Sequence, residues 1–101
     1  MKQSKEEIQE TIKKRVEDLQ RIQLEESIKS RLVVNYNGGL WRVTPELIAF
    51  VSVMREYGKK VVIKDDFGVP REVETTPFRN ALVEKYKETT YHWIDEFNEL
   101  K

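Results

Sequence analysis

From Ser4 to Ser30 the chain contains neither glycine nor proline, and its apolar residues recur at helical spacing. That predicts one long N-terminal helix. Ser4 can cap it, and Glu6 and Glu7 suit the positive end of its dipole. Ile8, Ile12, Val16, Leu19 and Ile22 fall within an arc of roughly 120° at about 100° per residue, whereas Leu24 and Ile28 fall on the opposite side. Unbroken, such a helix reaches ~40 Å, longer than the rest of so small a domain is expected to be wide. Two outcomes follow. Either the helix breaks near Gln23 and packs wholly against its own chain, or its last turns meet something different from its first.

Beyond residue 30 the grammar changes and is written twice. "LVVNYNGGLWRV" sets β-branched and aromatic residues on both sides of Asn37-Gly38-Gly39, and Asn-Gly is the strongest short-range signal for a hairpin. Leu32, Val34 and Tyr36 share one face of it, and Trp41 and Val43 alternate with Leu40 and Arg42. Thr44 then caps, Pro45 fills the first helical position, and "ELIAFVSVMREY" runs to Gly58 as a stop. "KKVVIKDDFGVPREVE" repeats the plan: a strand over Val61, Val62 and Ile63, turn residues Asp65, Asp66 and Gly68, and a return strand that Pro70 marks as an edge. Thr76 and Pro77 repeat the cap-and-start signal. The last helix carries Phe78, Leu82, Tyr86, Trp93, Phe97 and Leu100 on one side, widened by Val83 and Ile94. A duplication and a local convergence on hairpin-then-helix would look alike.

The expected fold is therefore α+β, a long helix followed by two β-hairpin–helix units (α-ββ-α-ββ-α). Its 101 residues form one domain with an N-terminal amphipathic helix over 1–30, a first unit over 31–58 and a second over 59–101. One four-stranded antiparallel sheet with helices on a face is the simplest way to bury these elements.

Composition removes several functions. The 18 basic and 18 acidic side chains cancel and are interspersed, so no segment builds the one-signed field that draws duplex nucleic acid or anionic lipid. With no cysteine, disulfides, thiolate metal sites and thiol nucleophiles drop out. The longest apolar run, Leu47–Val51, is far short of the ~20 residues a bilayer needs. A soluble protein of the cytoplasm, or one packed in a particle assembled there, is the expectation, with no cofactor and no metal. His92 is the only histidine; Glu88 and Glu96 lie one helical turn to either side, but a lone histidine at the edge of an apolar stripe is ordinarily structural. "DFG" at 66–68 has no phosphate loop or catalytic loop to accompany it, and "YGKKV" lacks the spacing of a phosphate-binding loop. No catalytic residue is assigned.

Two binding readings remain. In the first, the chain is a protein–protein interaction or assembly module that self-associates or docks through its first and last helices, using Ile8, Ile12, Val16, Leu19, Leu24, Ile28, Tyr86, Trp93 and Phe97. Three amphipathic helices outsize a small sheet, so some apolar surface should seek another chain. In the alternative, Tyr36, Trp41 and Arg42 stack and hold single-stranded nucleic acid on a hairpin face; the competing explanation is that the two aromatics are packing under the helices.

"RVTPELIAFV", "KVVIKDDFGVP" and "YHWIDEFNEL", spread over residues 30 to 100, together resemble small proteins encoded by T4-like tailed bacteriophages. The resemblance is one of overall texture and carries over no functional residue. It implies a small virion- or assembly-associated protein, or one that engages a host factor.

Overall fold

The computed structural model describes residues 4–100; Met1–Gln3 and Lys101, the ends of the expected domain, lie outside the described residues. The helix α1 runs unbroken over Lys5–Arg31, so the break near Gln23 does not occur. Its start is the reciprocal cap that Ser4 and Glu7 permit. The Glu7 amide donates to the Ser4 hydroxyl at 3.2 Å, and the Ser4 amide donates to the Glu7 carboxylate at 3.3 Å.

Strands β1 (Val33–Tyr36) and β2 (Gly39–Arg42) pair antiparallel in the register Val34↔Trp41 and Tyr36↔Gly39. Asn37 and Gly38 both take positive φ, 49° and 83°, which makes the two-residue turn whose twist matches the strands. Gly39 is required for a different reason, space. A Cβ there would stand 2.6 Å from Arg71 Cδ and 2.6 Å from Trp41 Cη2. Gly39→Ala is expected to lower stability by about 1–3 kcal/mol, the usual cost of overpacking, measured by urea denaturation.

Helix α2 (Pro45–Tyr57) starts as read. Thr44 Oγ1 accepts from the Leu47 amide at 3.1 Å, Pro45 occupies the first turn, and Gly58 ends the helix in extended backbone. Strands β3 (Lys60–Lys64) and β4 (Pro70–Glu74) then form the second antiparallel pair, with Pro70 opening β4 opposite Lys64. The second cap differs from the expectation at Thr76. Helix α3 spans Thr75–Glu99 with no loop after β4 and no side-chain cap. Instead, the Thr75 amide donates to the Lys59 carbonyl at 2.9 Å, and its buried hydroxyl donates to the Gly58 carbonyl at 3.0 Å. Pro77 falls in the first turn, where its missing N–H is not needed.

The order α-ββ-α-ββ-α and the α+β class are as expected. The hairpins do not merge into one four-stranded sheet, however; each is its own two-stranded ladder. They meet through groups that are not strand partners. The Asp66 amide, in the second turn, donates to the Leu40 carbonyl at 2.7 Å, and the Asn37 side-chain amide donates to the Glu72 carbonyl at 2.7 Å. Those carbonyls are thereby satisfied without a neighbouring strand.

The core draws on every helix and on both hairpins: Ile28, Trp41, Val51, Val73, Phe78 and Leu82 are all buried. Phe78 is its centre. Its ring lies 4.9 Å from that of Trp41, edge-on, and 5.2 Å from that of Tyr36.

Candidate functional site

Helix α1 has two apolar faces, and the structure uses one. Leu24 packs against the core, Ile28 is inside it, and both lie with Tyr86 and Trp93 of α3. The two helices run antiparallel along this contact. Ile28 and Leu32 lie with Tyr86, Thr90 and Trp93, whereas Glu17, Gln20 and Arg21 lie with Phe97 and Leu100. Arg31 donates to Glu96 at 2.8 Å, and the Arg21 guanidinium lies 5.6 Å from the centre of the Phe97 ring. Arg31 holds the Glu96 carboxyl below its usual range. The groove between Glu17, Gln20, Arg21, Phe97 and Leu100 marks where α3 ends beside α1. From there α1 continues alone toward Lys5 for about 18 Å, at ~1.5 Å per residue, which helps draw the molecule out to 65 × 25 × 23 Å.

The other face is open along its length. Ile8, Ile12, Val16, Leu19 and Ile22 are 44%, 57%, 50%, 53% and 57% exposed, so none is enclosed by its own chain. At about 100° per residue this stripe points roughly 160° away from Leu24 and Ile28. It therefore faces away from α3 even where the two helices lie side by side. Polar and charged residues border it, including Gln9 and Gln20 on one side and Thr11 and Asp18 on the other.

The nine residues expected to meet a partner thus separate into two sets. Ile8, Ile12, Val16 and Leu19 are on the open stripe. Ile28 is in the core, Leu24, Tyr86 and Trp93 pack against it, and Phe97 lies under the Arg21 guanidinium, so the aromatic side of the last helix lies along the end of the first. Sequence reading gave no site role to Phe50, Val53 and Tyr57, which are exposed on the side of α2 away from buried Val51. Their i, i+3, i+7 spacing was the available signal. Phe67 is exposed at the turn of the second hairpin.

A cleft of about 310 Å³ opens between the end of α1, α3 and the start of α2, floored by Ile28, Leu32, Val43 and Trp93 and rimmed by Glu25 and Arg42. His92 is exposed, and Glu96, one of the two carboxylates placed to orient it, is engaged by Arg31. No group of three or more metal-ligating side chains comes together among the described residues, and no helix among them is long and apolar enough to cross a membrane.

The hairpin residues of the nucleic-acid reading are placed for packing. Trp41 is 2% exposed with its ring against Phe78, Tyr36 is half-buried on the same ring, and exposed Arg42 reaches Asp66 at 3.4 Å. The Trp41 ring offers no open face for a base.

The second turn is organised by a buried carboxylate. Asp65 Oδ1 accepts from the Phe67 and Val69 amides, each at 2.9 Å, and Oδ2 accepts from Arg71 Nε at 2.8 Å. Its side chain is fully enclosed. The Arg71 hydrogen bond and the two amides hold its pKa below the ordinary 3.8 against the opposing effect of burial. Because Arg71 also lies over Gly39, this carboxylate fixes how the hairpins meet.

Comparison with protein families, curated proteins and solved structures finds no match for this chain.

Proposed function

We propose that this chain is a non-enzymatic protein–protein interaction or assembly module, and that the open stripe of α1 is its docking element. The observation that carries this reading is five half-exposed aliphatic residues in one line on a helix that outruns its own domain. Monomers rarely leave a contiguous apolar patch of this kind in water. A helix held at one end by a packed core and free along one face presents such a patch at little cost in ordering. The resemblance to small proteins of T4-like tailed bacteriophages fits this role, as a virion- or assembly-associated protein or a host-factor binder working in the host cytoplasm or the virion.

The test is the double substitution Ile12→Lys/Leu19→Lys in the full chain. Both positions are exposed, so the thermal midpoint should move by no more than about 2–4 °C. Association should be lost, whether it is self-association seen by sedimentation or stoichiometric retention of another protein. A wild-type chain that sediments as a monomer at every concentration, and that retains no protein the double variant fails to retain, overturns the proposal.

A further inference from the structure

We infer that the occupant of the α1 stripe is a second copy of this chain, bound antiparallel with Arg15 of each copy paired to Asp18 of the other. This rests on the stripe being a docking surface and adds its partner and register.

Ile8, Ile12, Leu19 and Ile22 follow the alternating four-and-three spacing of a coiled-coil seam. Between Ile8 and Ile22 the one other seam position is Arg15, and beyond that stretch the spacing reaches Lys5 at one end and Glu26 and Lys29, paired with each other, at the other. Val16 broadens one flank. The flanking positions Gln9, Thr11 and Gln23 are uncharged, and Asp18 is the acid bordering the seam beside Arg15. Seam spacing selects a helix as the occupant, since only a helix offers holes at matching intervals for these knobs.

Arg15 then decides which helix and in which direction. It has no ion pair among the described residues. A parallel, in-register pair would stack Arg15 on the partner's Arg15 in the middle of the seam, a like-charge contact. An antiparallel pair that sets Ile12 against the partner's Arg15 leaves that guanidinium flanked by Thr11 and Val16, with no acid in reach. Sliding one heptad sets Ile12 against the partner's Ile22, and Leu19 against the partner's Arg15. Asp18 then adjoins that guanidinium on the same side of the seam. Asp18 is available, being half-exposed and held only by a 3.8 Å contact to Arg21. Two-fold symmetry makes every contact twice. The two-fold axis crosses the seam at the level of residue 17, so the folded bodies lie at opposite ends of the paired helices. The open stripe faces away from α3, so the second helix meets no part of that one.

Sedimentation equilibrium of the full chain should show a monomer–dimer equilibrium on the order of micromolar. Arg15→Asp and Asp18→Arg should each weaken it at least about tenfold, and the double reversal R15D/D18R should return it to within about threefold of wild type. Both sites are solvent-facing, and circular dichroism should confirm an unchanged fold in all three variants. The register has its own readout, because the chain has no cysteine. Ile12→Cys/Ile22→Cys should form an intermolecular disulfide under mild oxidation, and Ile12→Cys alone should not. A disulfide in Ile12→Cys alone, indifference to the charge reversals, or a trimer overturns this inference and leaves the docking stripe standing. A monomer that loses another protein on Ile12→Lys/Leu19→Lys does the same. A monomer with no such partner overturns both.

Discussion

Replacing Phe78 with alanine is expected to cost about 3–5 kcal/mol, the range for removing a fully enclosed phenylalanine. A domain of this size holds only ~5–15 kcal/mol in total, so the variant should sit at or near the edge of folding. The size follows from position. Phe78 has no exposed surface, and its ring joins Trp41 and Tyr36 of the first hairpin to the core residues of α3 and β4. Because the hairpins share no strand pairing, hydrophobic contact through this ring supplies part of the order a continuous sheet would otherwise give. Urea denaturation by Trp fluorescence would measure it, with Trp41 as the reporter beside the lost ring. Ile12→Ala on the open stripe should change stability by less than about 0.5 kcal/mol in the same experiment. Equal losses at the two positions would mean that the stripe packs in cis.

That contrast bears on how much could be read from the residues. Caps and turns were legible because their chemistry is local: Ser4 with Glu7, Thr44 with Pro45, Asn37 with Gly38 each act within a few residues. Thr76-Pro77 looked like the same signal and misled by one residue, since Thr75 is fixed by carbonyls of Gly58 and Lys59. Nothing in the local sequence announces a partner that far along the chain. The two stripes of α1 were visible as well, but their roles were not. The expectation gave Leu24 and Ile28 to a partner along with Ile8, Ile12, Val16 and Leu19, whereas the structure buries Ile28, packs Leu24 partly against the core that Tyr86 and Trp93 also adjoin, and leaves the other four exposed. Two-facedness is a property of one helix; which face turns inward depends on another. The single-sheet expectation failed for the same reason, because the Leu40 and Glu72 carbonyls take donors from the turns instead of from strands.

Asp65→Asn should lower the thermal midpoint by roughly 5 °C or more at pH 7 and alter how stability depends on acid. The wild-type carboxylate accepts three hydrogen bonds, one from a guanidinium, inside the protein. An amide of the same shape can keep the two backbone donors but leaves Arg71 facing a neutral group or a competing donor. The pH dependence has a fixed sign. Arg71 first, and the Val69 and Phe67 amides with it, hold the folded pKa of Asp65 below 3.8, so near that pH the unfolded chain binds more protons than the folded one. The stabilisation is therefore complete above the unfolded value and is lost as pH falls through the lowered folded value. Glu96 is depressed from 4.5 by Arg31 and acts in the same direction, beginning slightly higher, but the pair is about 40% exposed and screened by solvent, so its share is small. Urea midpoints at pH 7, 4 and 2 would show the gap between wild type and Asp65→Asn closing as the solution becomes more acidic. A constant gap would place the stabilisation in the shape of the turn and not in the charge of Asp65.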